Sequence, residues 1–197
     1  MDDRIADELI AMAELDQKVA DELAASGALY EGYHPRMVVI HEANAVRLEA
    51  IMAQIGWPTE RLVGKPAAQA AWLIAQHAIS QPGFQRSCLK CLAEAAREHM
   101  VPLWQLAMLE DRIRVFEGRP QLYGTQLKPD AHGNMGPHAI EDPERVDERR
   151  GAVGLEPLAD ILARAKPQPL PADRESFERD YQKWLIEVGW RKRSEPN

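Results

Sequence analysis

The sequence predicts a mainly α-helical domain of about six to eight helices that carries a small two-stranded β-hairpin. Apolar residues recur at helical spacing through most of the chain, and Gly or Pro separates the helical stretches. Residues 120–141 depart from this pattern, because they alternate as strands do around a loop rich in Gly, Asp and Asn. The hairpin is expected to lie on the helices, since an isolated hairpin is only marginally stable in water.

The helices before the hairpin are predicted from apolar spacing and from Gly or Pro at their ends. They span residues 5–25, 35–55, 66–79, 84–98 and 102–117, and Thr59 is expected to cap a short turn through residue 63. In the first helix, the apolar residues at helical spacing are Ile5, Leu9, Met12, Leu15, Val19 and Leu23. The apolar stripe of the second helix includes Val39, Ile40, Leu48, Ile51 and Ile55. The third helix is apolar nearly all round, which predicts a position in the middle of the domain.

The strands of the hairpin are predicted at residues 121–127 and 137–140. Asp142 as N-cap and Pro143 as first residue then begin a helix that runs to about residue 150. A short helix at 158–165 and a last helix at 174–188 follow. The predicted organisation is a helical domain at 1–165 with its hairpin at about 120–141, a Pro-rich linker at 166–172, and a C-terminal amphipathic helix and tail at 173–197.

The last helix has an aromatic face formed by Phe177, Tyr181 and Trp184. Two uses of this face are open. The helix either docks back on the domain or offers its apolar face to a protein partner, as an amphipathic helix does in a groove.

Composition narrows the class of protein. The net charge is −7, which disfavours nucleic acid and anionic membranes as main partners because both require a basic face. No apolar run approaches the roughly 18 residues of a membrane span, and the first residues lack the layout of a signal peptide. Two cysteines do not form a disulfide scaffold, so we expect a cytoplasmic protein.

Gln76 and His77 lie together near the end of the most apolar helix. A buried imidazole or amide must find a hydrogen-bond partner, so polar groups are expected to face them. Because histidine titrates near neutral pH, His77 is the predicted general acid or base, with Gln76 beside it as a substrate-binding residue. A structural histidine bonded to a loop carbonyl is the alternative.

Asp111 falls on the apolar stripe of the fifth helix, which predicts a partly buried carboxylate. It is the predicted catalytic partner that orients His77, and a structural ion pair is the alternative. Arg112 and Arg149 are predicted to hold a negatively charged substrate group, since a guanidinium binds carboxylates and phosphates well. Gln85, in the first turn of its helix, is a further predicted substrate contact, with capping as the alternative.

The segment PQLYGTQL at residues 120–127 supplies the remaining predicted substrate contacts, which are Gln121, Tyr123, Thr125 and Gln126. In a strand, alternate residues share a face, so Gln121, Tyr123 and Thr125 would point the same way. Gly124 weakens a strand and indicates a bulge or a close approach of another group. We therefore expect this segment to form one wall of a polar pocket, or else simply to seal the helical core.

The recognised metal and cofactor motifs are absent from the sequence. His41-Glu42 begins an H-E-x-x-H pattern, but residue 45 is Ala, so a zinc-protease motif is not present. Cys88 and Cys91 form a lone C-x-x-C without the second pair that a zinc site requires. We predict no cofactor and no metal, while His41, His132 and His138 are left open as metal ligands.

Several short motifs occur in a characteristic order: Gly56-Trp57-Pro58, Val63-Gly64, Ala71-Trp72-Leu73-Ile74, Gln76-His77-Ala78, Phe84-Gln85, Asp111-Arg112 and Tyr123-Gly124-Thr125-Gln126. Over residues 44–155 this order and spacing resemble a family of uncharacterised bacterial proteins. The resemblance implies a recurring bacterial domain and does not imply a reaction.

Two functions follow as hypotheses. The first is a small hydrolase or transferase that acts on an amide, ester or glycosidic-type bond of a small molecule or peptide, with His77 as general acid or base. The second is a non-catalytic immunity, adaptor or regulatory protein that binds its partner through the C-terminal helix. Whether the protein is an enzyme is left open by the sequence.

Overall fold

The computed structural model describes residues 3–193, and these residues are mainly helical, as predicted. Two short 3₁₀ helices and a two-stranded antiparallel sheet, β1 (Leu127–Pro129) and β2 (Met135–Pro137), complete the described elements. No helix between residues 3 and 193 has the length and apolarity that a membrane crossing requires. The α-helices are α1 (Asp3–Ser26), α2 (Pro35–Ile55), α3 (Glu60–Val63), α4 (Lys65–His77), α5 (Pro82–Arg97), α6 (Leu103–Phe116), α7 (Val146–Ala152), α8 (Leu158–Arg164) and α9 (Arg174–Glu187).

The chain divides into two compact units. Unit 1 is Met1–Pro102 and contains α1 to α5, whereas unit 2 is Leu103–Asn197 and contains α6 to α9 with the hairpin. The division falls inside the domain predicted at 1–165, and that boundary, like the linker at 166–172, stays a prediction.

Unit 1 is built around α4, which contacts α1, α2, α3 and α5. Its buried face consists largely of alanines, which allow neighbouring helices to approach closely, and Ile74 fills the remaining space. Leu9 of α1 and Leu48 of α2 are fully buried in the same unit. The nearly continuous apolar pattern of α4 therefore corresponds to a central helix, as the sequence predicted.

Helix ends in unit 1 follow the expected residues with one correction. The helix α2 begins at Pro35, and the imidazole of His34 accepts a hydrogen bond from the amide of Arg36 at 3.2 Å. Thr59 precedes α3, but its side chain does not cap the helix. The predicted cap is wrong because the Thr59 hydroxyl is buried and has no hydrogen-bond partner.

The predicted hairpin is present in unit 2, but its strands are displaced along the chain. Leu127 pairs with Pro137 and Pro129 with Met135, so the predicted strand at 121–127 is wrong. Its amides cannot join a ladder because several of them donate to the carboxylate of Asp111. Before Leu127, Gln121 forms an isolated bridge with Ile140 in the parallel sense.

The C-terminal helix α9 docks within unit 2. Trp184 meets the ring of Phe116 edge-on at 6.0 Å, and Trp190 stacks on the same ring at 5.1 Å. Leu185 is fully buried, and Arg191 donates to the Phe116 carbonyl at 3.0 Å. Of the two uses left open for the aromatic face, docking accounts for these contacts.

We predict that Gly124→Ala lowers the free energy of unfolding by about 1–3 kcal/mol. Gly124 has a φ of +68°, and a Cβ there would lie 3.1 Å from Ile140 Cδ1 and 3.2 Å from both Leu158 methyls. Gly154→Ala is the matched control, because Gly154 has a φ of +78° but nothing within 4 Å of the added Cβ. Chemical denaturation measures both variants. Equal losses of stability would mean that crowding at Gly124 contributes nothing.

Candidate functional site

Three helices of unit 1 bring Asp16, His41 and His77 together. Asp16 lies on α1, His41 on α2, and His77 is the last residue of α4. The Oδ2 atom of Asp16 is 2.9 Å from His77 Nδ1 and 3.3 Å from His41 Nε2. Among residues 3–193, this is the one group of His, Cys, Asp or Glu whose ligand atoms all converge within 4.8 Å.

The three side chains differ in their access to solvent. The Asp16 side chain is 0% exposed and that of His41 is 9% exposed, whereas 29% of the His77 side chain is exposed. His77 is thus the member of the cluster that a molecule from solvent can touch, and the other two lie behind it.

Electrostatics keeps the buried carboxylate ionised. Burial by itself disfavours the charged form of Asp16, but its contacts with His41 and His77 outweigh that cost and hold its pKa well below the usual range. Tyr33 lies on the other side of His41, with its hydroxyl 2.9 Å from His41 Nδ1. Burial raises the pKa of the Tyr33 phenol to about 12, so this hydroxyl keeps its proton at neutral pH.

Two polar atoms of the cluster are buried without hydrogen-bond partners. They are Asp16 Oδ1 and His41 Nε2. Although His41 Nε2 lies 3.3 Å from the carboxylate, this approach does not have the geometry of a hydrogen bond. Orphaned polar atoms in a core cost on the order of 1–3 kcal/mol each, so their occurrence in one cluster calls for a functional explanation.

A second buried carboxylate, Asp111, organises unit 2 and is fully satisfied. It accepts hydrogen bonds from the amides of Leu122, Tyr123 and Thr125, and from the Thr125 hydroxyl at 3.0 Å. The sequence predicted that Asp111 orients His77, whereas the carboxylate that contacts His77 is Asp16. A catalytic role for Asp111 stays a prediction, and its observed contacts are those of a loop anchor.

The predicted substrate-binding side chains of residues 120–127 form hydrogen bonds mostly within their own loop. The Gln121 amide donates to the carbonyls of Gln126 and His138, both at 3.0 Å, and its oxygen accepts from the Gln126 amide. Thr125 binds Asp111, and the side chain of Gln126 donates to Thr125 Oγ1 at 3.1 Å. These side chains shape the loop, and their roles in substrate binding stay predictions.

Arginine side chains donate hydrogen bonds to the backbone carbonyls of this loop. Arg149 donates to the carbonyls of Leu122 at 2.7 Å and Glu141 at 2.6 Å, so its guanidinium is engaged by the backbone. The Tyr123 carbonyl accepts a hydrogen bond from Arg150 at 2.6 Å. Burial raises the pKa of the Tyr123 phenol. Arg112, by contrast, has a buried Nε without a partner, and burial lowers the pKa of its guanidinium to about 10.

Gln76 and Gln85 lie in unit 1 with His77. Gln85 is fully buried and donates to the carbonyls of Ala75 at 2.8 Å and Gln76 at 3.0 Å, so it closes the C-terminal end of α4. The Gln76 side chain is buried and makes no hydrogen bond. The structure thus groups Gln76, His77 and Gln85 in unit 1, and the other predicted residues in unit 2.

A cavity of about 370 Å³ in unit 1 has a different lining from the predicted pocket. Residues of α2, α3 and α5 and of the turns beside them surround it, including Trp57, Leu62, Glu94 and Arg97. None of the predicted substrate-binding residues belongs to its lining.

The model of a family of unknown function, DUF6624, matches residues 3–166. The chain belongs to this family. The DUF6624 match includes Asp16, His41 and His77 as well as Asp111 and its loop. No curated protein and no solved structure matches the chain. Membership in DUF6624 confirms the predicted resemblance to an uncharacterised domain and assigns no reaction to it.

We predict that Asp111→Asn lowers the free energy of unfolding by about 3 kcal/mol. The amide nitrogen of the new side chain would face N–H donors that now bond to the carboxylate, so buried donors would lose their acceptor. Asp160→Asn is the control, since Asp160 is exposed on α8 of the same unit. Chemical denaturation of both variants measures the effect. A loss for Asp111→Asn no greater than for the control would show that the loop does not depend on this carboxylate.

Proposed function

We propose that the protein is a small hydrolase or transferase whose reaction centre is the Asp16–His77 pair. The observation that carries this proposal is the 2.9 Å contact between Asp16 Oδ2 and His77 Nδ1. A buried carboxylate that binds one imidazole nitrogen fixes the orientation of the ring and stabilises its protonated form. The pair thus has the arrangement of a general base with its orienting group.

The direction of the imidazole favours chemistry at its second nitrogen. Nδ1 of His77 is held by Asp16, and the partial exposure of the ring leaves Nε2 for a molecule from solvent. In the proposed reaction His77 Nε2 removes a proton from water or from an acceptor hydroxyl, which then attacks an amide, ester or glycosidic-type bond. The same imidazole returns the proton to the leaving group.

The substrate contacts predicted from the sequence in unit 2 are proposed as contacts of that unit alone, because the Asp16–His77 pair lies in unit 1. Of the two predicted arginines, Arg112 is better suited to bind a negatively charged group, because its Nε is buried without a hydrogen-bond partner. The guanidinium of Arg149 is already engaged by backbone carbonyls. Tyr123 and Gln126 are proposed to position a small molecule or peptide. A bacterial source and a cytoplasmic location belong to the same proposal.

A partner protein bound through α9 has less support. Two of the three aromatic residues that suggested such a partner pack within unit 2, since Trp184 meets Phe116 edge-on and Tyr181 stacks on Trp184. We therefore favour the enzyme over the interaction protein.

We predict that His77→Gln lowers turnover of a cleaved substrate by about 10²–10⁴-fold, which is the usual contribution of a general base. Asp16→Asn is expected to lower turnover as well, because it removes the charge that holds the imidazole. A panel of p-nitrophenyl esters, p-nitroanilides and p-nitrophenyl glycosides measures activity, and circular dichroism confirms folding.

His132→Gln is the control for this experiment. His132 is exposed in the hairpin turn, where only its backbone amide is bonded, to Asp130. This variant should keep the activity of the unmodified protein. Full activity in folded His77→Gln, or no turnover of any substrate class by the unmodified protein, would contradict the proposal.

A further inference from the structure

We propose that Asp16, His41 and His77 form a binding site for one divalent transition-metal ion, such as Zn²⁺. The inference deepens the proposed function and rests on it for the reaction, but binding can be tested without a substrate. Its evidence is the geometry of the cluster rather than any sequence motif, since the H-E-x-x-H pattern at His41 is incomplete.

Two of the three distances between the ligand atoms match those between ligands of one metal ion. Ligands at about 2.0–2.2 Å from zinc lie about 3.3 Å apart in a tetrahedral site and about 2.9–3.0 Å apart at adjacent octahedral positions. The two observed separations are 2.9 Å for His77 Nδ1 and 3.3 Å for His41 Nε2, each measured to Asp16 Oδ2. All three ligand atoms lie within 4.8 Å of one another.

Two polar atoms without hydrogen-bond partners favour a metal site over a hydrogen-bonded triad of Asp16, His41 and His77. In a triad, His41 Nε2 would share a proton with the carboxylate, but this nitrogen makes no hydrogen bond although it lies 3.3 Å away. Asp16 Oδ1 is also buried without a partner. A cation bound between the three side chains would satisfy the nitrogen lone pair and add a second interaction for the carboxylate.

The surroundings of His41 are those of a metal ligand. A ligating histidine normally uses its other ring nitrogen to bind a second group, which fixes the tautomer and the ring orientation. The hydroxyl of Tyr33 lies 2.9 Å from His41 Nδ1, and the two rings stack with centroids 5.6 Å apart. With Nε2 on the metal, Nδ1–H would donate to the Tyr33 oxygen.

The ligand set indicates the class of ion and its use. Two imidazoles and one carboxylate suit zinc and neighbouring transition metals, whereas magnesium and calcium prefer oxygen ligands alone. Three protein ligands leave at least one coordination position open, as in catalytic sites. His77 is the exposed ligand, so water would reach the ion from its side. Activation of water would then pass from the imidazole to the metal, with the hydrolytic reaction class unchanged.

The experiment is a titration of the full chain, first freed of metal with a chelator, with Co²⁺ and with Zn²⁺. Cobalt reports coordination through its visible absorption, and calorimetry gives the stoichiometry and affinity for zinc. We expect one equivalent of either ion to bind. Tyr33→Phe removes an outer hydrogen-bond partner of a ligand and should weaken metal binding by about 10–100-fold. His41→Gln removes a ligand itself and should weaken binding by more than Tyr33→Phe does.

His41→Gln also distinguishes this inference from a metal-free pair, since it leaves Asp16 and His77 in contact. His132→Gln is the matched control and should bind as the unmodified protein does. Circular dichroism excludes unfolding of the variants, and Tyr33→Phe gives a second readout if His41→Gln does not fold.

The outcomes separate the inference from the proposed function. Absence of saturable binding overturns the inference, as does binding that is unchanged in folded His41→Gln or, if that variant does not fold, in Tyr33→Phe. Metal binding without turnover of any substrate class supports the inference and contradicts the proposed function. Turnover that depends on His77, in a protein that binds no metal, supports the proposed function and contradicts the metal-site inference.

Discussion

The arrangement of unit 1 depends on a carboxylate that has no access to water. Asp16 lies where α1, α2 and α4 meet, and its side chain is completely buried. An isolated buried charge would destabilise the fold by several kcal/mol, so this position requires polar groups from the facing helices. His41 and His77 supply them, and the packing of the three helices and the chemistry of the cluster are therefore one constraint.

Asp111 shows what a purely structural carboxylate looks like in the same chain. Backbone amides and a hydroxyl of residues 122–125 saturate both of its oxygens, and the loop takes its shape from these bonds. Asp16 is held instead by two titratable rings, and one of its oxygens has no partner. A fold that merely needed to bury Asp16 would be more stable with that oxygen bonded. The unbonded oxygen together with two converging imidazoles therefore distinguishes Asp16 from the loop anchor Asp111.

The helices could be predicted from the sequence because Gly and Pro mark their ends, whereas the buried faces of α1 and α2 could be predicted only in part. The predicted stripes include Leu9 and Leu48, which are fully buried. They also include Leu15, which is 51% exposed, and Val39, which is 69% exposed. Between Leu9 and Val19, the buried face of α1 passes through Ala13 and Asp16, at helical spacing. A polar residue that continues a buried stripe was the available signal for Asp16, and likewise for His41 on α2.

The burial of Asp16, which the sequence analysis missed, explains why the sequence predicts Asp111 as the partner of His77. Both carboxylates lie on the buried faces of their helices, but only Asp111 was recognised there, so it was the one available to pair with the histidine. Periodicity identifies a buried carboxylate but not the side chain that binds it, because that side chain comes from another helix. His77, which binds Asp16, lies 61 residues further along the chain. Local sequence therefore identifies which helix face carries a buried carboxylate, and only the packing of α1 against α4 determines that His77 binds it.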